Sequence, residues 1–197
     1  MAPTFLRRLP VFTLLLGACA LVASGMAHRL EFDRHAVAAG QVWRLVTGHW
    51  THWSSNHLLW DVATFAALGV LAERRSRAAF LACTLASAVA ISAGLWFLRP
   101  DVVTYRGLSG IDVGLFAVVA TGMIRDARTT RHRPTAILAI AALGALGLKL
   151  AWELTTGSAF FVDTAAAEFQ SLPLAHALGA AVGAAVAFFR GGAETPA

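Results

Sequence analysis

The chain has 197 residues, of which 57% are hydrophobic and only 14% are charged. A soluble monomer of this composition would have too little polar surface to cover its core, since about a quarter of the residues in an ordinary soluble domain are charged. Intrinsic disorder is also excluded, because it requires low hydrophobicity and high net charge. The sequence therefore predicts one integral membrane domain over residues 1–197.

Six apolar segments follow one another along the chain, each near the length of about 20 residues that a helix needs to cross a bilayer. They are Leu9–Ala27, His57–Ala72, Ala78–Leu98, Ser109–Ile124, Thr135–Thr155 and Leu172–Phe189. None alternates between polar and apolar side chains as a lipid-facing β-strand does. The sequence predicts an all-α bundle of six transmembrane helices, with an external interfacial loop from His28 to Asn56 after the first helix.

The arginines indicate how this bundle is oriented. The net charge is +5, but the basic residues lie in short clusters between apolar segments, which favours a role in membrane orientation over nucleic-acid binding. The tight clusters contain Arg7, Arg8, Arg74, Arg75, Arg77, Arg125, Arg128, Arg131, Arg133 and Arg190. Because positive residues concentrate on the cytoplasmic side, both termini are predicted to be cytoplasmic. An alternative interpretation takes Arg7-Arg8 and the apolar run after them as a cleavable signal peptide.

Ionisable side chains inside the predicted helices indicate a functional site or a buried partner, because the bilayer disfavours them. They are His57, Asp61, Asp112, Lys149, Glu153 and His176. The second, fourth and sixth helices enter from the outside, and they carry His57, Ser109 and His176 at or near their starts. With a rise of about 1.5 Å per residue, the serine and the two histidines are expected in one layer, in the outer third of the membrane.

Ser109 has the sequence surroundings of a nucleophile. Gly107 and Gly110 flank the Leu108-Ser109 pair, and glycines allow a tight turn and the close approach of another backbone or a substrate. A serine at the start of a helix also lies near backbone N–H groups that can face an oxyanion. The alternative is a helix-capping serine whose neighbouring glycines only permit close packing.

His176 is the candidate base for this serine. A pair of glycines four residues apart follows each of the two side chains. Gly110 and Gly114 follow Ser109, and Gly179 and Gly183 follow His176. Small residues at this spacing let two membrane helices pack closely, so the two glycine faces are predicted to touch and to bring His176 beside Ser109. A serine becomes nucleophilic when a base lies within hydrogen-bond reach. The alternative is that the glycines only aid packing and that His176 is hydrogen-bonded within the bundle.

Four motifs agree in order and spacing with a known protein family. They are Trp43-Arg44 in the predicted loop, His52-x4-His57-x3-Asp61 at the second helix, Gly107-Leu108-Ser109-Gly110 at the fourth, and Ala-His-x-x-Gly-x-x-x-Gly in the sixth. From about Gln41 to Phe189 the chain resembles the rhomboid intramembrane serine proteases. It is similar, more narrowly, to their compact six-helix branch, the bacterial rhombosortases.

The resemblance implies a serine endopeptidase of the bacterial cytoplasmic membrane that uses no cofactor and no metal. Ser109 would attack the scissile carbonyl and His176 would act as general base, while His57 and the Ser109 backbone N–H hold the oxyanion. Its partners would be membrane lipid and a transmembrane or tail-anchored protein, cut near the outer membrane face. In the narrower branch, the substrate would be an exported protein with a carboxy-terminal sorting tail.

Asp61 departs from the family pattern, which commonly has asparagine at this position. An ionised carboxylate would repel an oxyanion, but His57 lies four residues earlier on the same helix face. The hypothesis is that Asp61 pairs with His57, orienting and charging it. Asp112 has two open interpretations: it orients His176, or it bonds to a neighbouring helix.

The remaining candidates lie further from Ser109. Lys149 and Glu153 are four residues apart and are predicted to pair, because pairing reduces the penalty of burying both charges. The pair is either structural or part of a substrate gate. Arg44 either braces the external loop or anchors it to lipid headgroups, and Trp43 is expected to pack that loop.

Two other functions are alternatives to proteolysis. A catalytically inactive rhomboid-like protein that binds transmembrane segments is left open by Asp61. A small-solute transporter or channel is less favoured, because the chain has no repeat or paired half-helices. His49 and His52 are expected at the membrane interface, and no third ligand at suitable spacing supports a metal site. The sequence predicts neither the substrate's identity nor the oligomeric state.

Overall fold

The computed structural model describes residues 9–156 and 172–190, and six long helices form a bundle within these two ranges. They are α1 (Val11–Ser24), α5 (Ser55–Arg75), α6 (Arg77–Leu98), α7 (Ser109–Thr129), α8 (Arg133–Thr156) and α9 (Pro173–Arg190). Each corresponds to one of the predicted apolar segments. Arg7 and Arg8, the side chain of Arg190 and the predicted connector 157–171 lie outside the described residues.

Two predicted helices are longer in the structure than their apolar stretches. α5 begins at Ser55 because the Ser54 hydroxyl caps it, accepting a hydrogen bond from the His57 backbone N–H at 3.2 Å. α7 continues past Ile124 to Thr129, where Asp126 forms an ion pair with Arg75 of α5. The residues that extend these helices are mostly polar or charged, so hydropathy alone made both predicted helices too short.

Two of the helices in the described residues, α6 and α8, are long and apolar enough by themselves to cross a membrane, and α1 and Pro173–Phe189 are shorter apolar helices. The crossing of the bilayer by all six helices stays a prediction. Large apolar side chains are exposed on the outside of the bundle, including Leu138 and Leu148 of α8 and Phe188 and Phe189 of α9. An outer surface of this kind suits contact with lipid rather than water.

The segment between α1 and α5 folds against the bundle. It contains α2 (Ala27–Leu30), β1 (Phe32–Asp33), α3 (Arg34–Ala38), α4 (Arg44–Thr47) and a 3₁₀ turn (Gly48–Trp50). β1 pairs antiparallel with β2 (Thr104–Tyr105), with Phe32 opposite Tyr105. This pairing, which no local sequence pattern predicted, joins the segment between α1 and α5 to the segment that leads into α7.

Arg44 braces this loop from within. Its guanidinium donates to the Glu31 carbonyl at 2.9 Å and to the Gln41 side chain at 2.7 Å, and the residue is buried. Of the two interpretations of Arg44, these contacts favour the structural one. The prediction that Trp43 packs the loop is wrong: Trp43 is 51% exposed, and the buried tryptophan is Trp50.

A buried carboxylate attaches α1 to α5. Glu73 of α5 is 1% exposed and accepts hydrogen bonds from the backbone N–H groups of Phe12 and Thr13, at 3.1 and 2.7 Å. An acidic group at the first turn of a helix pairs with N–H groups that lack intrahelical partners and with the positive end of the helix dipole. α1 is therefore packed as part of the bundle, while its cleavage as a signal peptide stays an untested alternative.

Candidate active site

Glycines bring the backbones of α7 and α9 into contact. A Cβ at Gly179 would overlap the carbonyl oxygen of Gly110, and one at Gly183 would overlap that of Gly114. Since any side chain at these positions of α9 would collide with a backbone atom, the two helices approach this closely only with glycine there. The predicted contact between the two glycine faces is present.

This contact places a hydroxyl beside an imidazole. Ser109 is the first residue of α7, and its Oγ lies 3.1 Å from Nε2 of His176, in the first turn of α9. His176 is buried with 9% exposure, while Ser109 is half-buried and lines an open cavity. Serine and histidine are thus within the hydrogen-bond distance that activation of a nucleophile requires.

The second nitrogen of His176 faces a carboxylate that was not assigned to it from the sequence. His176 Nδ1 lies 2.7 Å from Oε2 of Glu153, and Lys149 Nζ donates to Oε1 of the same carboxylate at 2.6 Å. The predicted pairing of Lys149 with Glu153 is present, but its extension to His176 was missed. The spacing of four residues indicated the pair within α8, whereas no local signal connected α8 to α9.

Asp112 lies apart from this arrangement. It is 5% exposed, and within the described residues its Oδ1 has no hydrogen-bond partner. The interpretation in which Asp112 orients His176 is wrong, because Nδ1 of that ring faces Glu153 instead. The other interpretation, a bond from Asp112 to a neighbouring helix, finds no support in the hydrogen bonds of the described residues.

A second carboxylate–histidine cluster lies on the α5 side of Ser109. Oδ2 of Asp61 is 3.2 Å from Nε2 of His57 and 3.2 Å from Nε2 of His52. The same oxygen accepts a hydrogen bond from the Leu108 backbone N–H at 2.8 Å. The predicted pair of Asp61 with His57 is present. His52, expected at the membrane interface, is instead 4% exposed and belongs to this cluster.

Gly107 allows the segment before Ser109 to pass close to this cluster. Its φ of +124° lies in a region that residues with a side chain rarely adopt, and a Cβ there would be 3.0 Å from Cε1 and Nε2 of His57. Both conditions require glycine. The predicted tight turn is therefore present, and it allows the Leu108 N–H to point at Asp61.

Arg106 fixes the same segment from outside the helices. Its Nε donates to Glu31 Oε2 at 2.7 Å, and its guanidinium lies over the Trp53 ring, 4.2 Å from the centroid. Its Nη1 also donates to the His52 carbonyl at 3.3 Å. Since Glu31 and Trp53 belong to the segment between α1 and α5, the ion pair and the cation–π contact join that segment to the turn that carries Ser109.

Two buried side chains, those of Tyr105 and His49, support the turn at Gly107. The Tyr105 hydroxyl donates to the Gly107 carbonyl at 3.3 Å, and burial raises the pKa of Tyr105 above its usual value, so this donor stays protonated. His49 packs edge-on against Tyr105, and its Nε2 lies 3.0 Å from the Ala88 carbonyl. Burial lowers the pKa of His49 to about 4, so this ring is neutral at pH 7. The expectation that His49 lies at the interface is wrong, since it is fully buried.

An open cavity of about 1370 Å³ connects the two clusters. Its walls come from α5, α7, α8, α9 and the segment before α7, and they include His57, Ser109, Phe116, Trp152 and His176. The nucleophile candidate and both histidines therefore face one space. Among the residues that the structure describes, no group of three or more histidine, cysteine or acidic residues could hold a metal ion.

Comparison with known proteins identifies a family for most of the chain. A family model described as Rhomboid domain matches residues 39–192, which is most of the chain. The matched range includes α4 and the rest of the segment before α5, both carboxylate–histidine clusters and Ser109. None of the curated proteins compared with the chain matches it.

Proposed function

The chain belongs to the rhomboid family of membrane-embedded serine proteases, and from this we propose that it is itself an active intramembrane endopeptidase. Ser109 is the nucleophile and His176 is the general base. The observation that carries the proposal is the distance of 3.1 Å between Ser109 Oγ and His176 Nε2 at the edge of an open cavity.

The reaction proceeds in two steps. His176 Nε2 takes the proton from the Ser109 hydroxyl as Oγ attacks the scissile carbonyl, and the same nitrogen then gives that proton to the leaving amine. This forms a Ser109 ester with the amino-terminal part of the substrate. Water enters from the cavity, loses a proton to His176 and hydrolyses the ester, which restores the free serine.

The oxyanion forms near the start of α7. Ser109 opens that helix, where backbone N–H groups without intrahelical partners and the positive end of the helix dipole favour negative charge. We assign the Ser109 N–H and His57 to this role. Asp61 supports them indirectly, because it lies 3.2 Å from His57 Nε2 and accepts the Leu108 N–H, which holds the turn at Gly107 in place.

The position of the site in the membrane follows from the predicted orientation. In this proposal the chain spans the bacterial cytoplasmic membrane with both termini in the cytoplasm, and Ser109 lies in the outer third of the bilayer. Water then reaches the cavity from the outside. Because rhomboid proteases act on transmembrane substrates, a substrate helix must unwind locally to offer a carbonyl, and small or helix-breaking residues make this easier.

The narrower proposal concerns the substrate. The run Tyr105–Gly110 resembles the rhombosortase branch. On that basis we propose exported proteins with a carboxy-terminal sorting tail as substrates, which cleavage would release from the membrane or transfer to another anchor.

Co-expression with candidate substrates tests the proposal. We expect wild-type protein to shorten a tail-bearing substrate, and Ser109→Ala and His176→Ala to leave it intact. Ser55→Ala is a matched control, because Ser55 is an exposed serine that also begins a helix. Equal processing in all variants would contradict the catalytic assignment. Wild-type protein that retains the substrate without cutting it would favour the inactive, helix-binding alternative.

A further inference from the structure

We propose that Glu153 is a positioning residue that completes a Ser109–His176–Glu153 triad by fixing the tautomer and the ring orientation of His176. This inference rests on the proposed protease function and deepens it, since a serine–histidine pair alone was expected. Glu153 would act through His176 and does not itself touch the substrate carbonyl.

The direction of the hydrogen bonds carries the first step. An ionised carboxylate can only accept hydrogen bonds, so Glu153 Oε2, at 2.7 Å from His176 Nδ1, requires the hydrogen of the ring to be on Nδ1. A neutral imidazole then has its lone pair on Nε2. That nitrogen faces Ser109 Oγ at 3.1 Å. The arrangement thus selects the one neutral tautomer that can accept the serine proton.

The second observation is that the two carboxylate oxygens of Glu153 have different partners. Lys149 Nζ bonds to Oε1 at 2.6 Å, while Oε2 faces His176. A purely structural ion pair within α8 would need only the first of these contacts. The second contact reaches across to another helix and meets the one side chain that the proposed chemistry depends on.

Burial carries the third step. Within the part of the chain that the structure describes, the buried residues of α8 are Ala139 and Glu153, and Glu153 is 1% exposed. Because α8 buries so few residues, burial of this carboxylate adds little to the packing of the helix. An unpaired buried charge is also strongly unfavourable. Lys149 offsets that charge, which lets the carboxylate remain ionised where His176 becomes positive during proton transfer.

The test measures how fast a fluorophosphonate, a reagent that reacts with activated serines, labels Ser109 in the full-length protein. We expect Glu153→Gln to slow labelling by at least about 10²-fold and up to about 10⁴-fold, since removing the charge of a triad carboxylate leaves the histidine in the wrong tautomer. Glu153→Asp should recover part of the rate, because it keeps the charge at a greater distance. Thr155→Val is the matched control on α8, because Thr155 is exposed and, among the described residues, its hydroxyl bonds only to carbonyls of its own helix.

A double variant separates positioning from structural support. Glu153→Gln leaves Lys149 without its carboxylate, and this could unfold the site for reasons unrelated to catalysis. In Lys149→Met/Glu153→Gln both charges are gone. A positioning role predicts that this protein folds and that its Ser109 is still labelled about 10²-fold more slowly than in the wild type. Labelling at the wild-type rate would overturn the inference.

The tautomer itself can be measured by ¹⁵N NMR of histidine-labelled protein, with the His176 signals assigned from His176→Ala. We expect the hydrogen on Nδ1 in the wild type and a shift toward Nε2 in the double variant. The same tautomer in both proteins would overturn the inference, while the protease proposal would survive. Labelling that persists in Ser109→Ala would instead overturn the protease proposal, and the role of Glu153 with it.

Discussion

α9 meets α7 and α8 in different ways, and His176 lies where these two contacts converge. Toward α7, glycines place one backbone directly on the other. Toward α8, the contact at His176 is an ionised side chain, Glu153, on a helix that otherwise buries little. The first contact is steric and sets the distance between the helices. The second is electrostatic and sets which nitrogen of the ring carries the hydrogen.

The difference separates two requirements of a serine nucleophile. Placing the imidazole within reach of the hydroxyl demands tight packing, which tolerates almost no change in side-chain volume. Orienting the ring demands a charged acceptor, which tolerates loose packing around it if its charge is balanced. Substitutions on the α7 side of α9 should therefore affect folding and activity together. Those on the α8 side that remove both charges together, as in Lys149→Met/Glu153→Gln, should affect activity with little effect on the free energy of unfolding.

The largest effect is expected from Gly179→Ala. Its Cβ would overlap the Gly110 carbonyl oxygen, so α9 must move away from α7 and carry His176 from Ser109. Overpacking of this kind destabilises by about 1–3 kcal/mol, and fluorophosphonate labelling of Ser109 should fall at least about 10²-fold, since small misplacements of catalytic groups are this costly. Thermal unfolding in detergent and the labelling rate check both. Wild-type values for both would show that the glycine contact does not set the site.

Asp61→Asn extends the comparison to the α5 side of α7, where the contact is again a charged side chain. Asn can still accept the Leu108 N–H, but it loses the charge that faces His52 and His57. Hydrogen bonds to charged groups contribute about 1.5–3 kcal/mol, and we expect cleavage to fall about 10-fold, which corresponds to about 1.4 kcal/mol. Cleavage that is unchanged or faster would show that Asp61 does not orient His57.

A smaller loss of stability is expected from Gly94→Ala in α6, which is a third neighbour of α9. A Cβ at this position of α6 would collide with the end of the Leu178 side chain rather than with backbone. Leu178 can change rotamer, so we expect a loss of less than about 1 kcal/mol and labelling of Ser109 within about 2-fold of wild type. A loss as large as that of Gly179→Ala would mean that side-chain contacts hold α9 as firmly as the backbone contact.

The smallest effect is expected from Gly144→Ala in α8. Among the described residues, no atom beyond the adjacent residues and the backbone of α8 lies within 4 Å of a Cβ built there, and alanine is preferred to glycine in a helix interior by about 1 kcal/mol. We expect unchanged labelling and a slightly raised unfolding temperature. A clear loss of activity would show that the outer surface of α8 takes part in the site. This would contradict the conclusion that α8 acts on His176 through Glu153.

Much of the site could be predicted because its signals are local in sequence. Hydropathy marked the six helices, and the spacing of four residues marked both the glycine pairs and the pairing of His57 with Asp61. The contacts that were missed join elements far apart in the chain. β1 pairs with β2 although the whole of α5 and α6 lies between them in sequence, and Arg106 bonds to Glu31 across the same interval. No periodicity within one segment carries such information.

Residue type and spacing determined by themselves which side chains could do chemistry here: a serine between glycines at the start of a helix, and a histidine ahead of a matching glycine face. Only the tertiary structure decided which carboxylate faces that histidine. Asp112 is three residues from Ser109 in sequence, yet Glu153 of α8 holds the ring. The physical reason is that a glycine face specifies how closely two helices pack, whereas the third helix approaches through a charged pair whose partner no local pattern identifies.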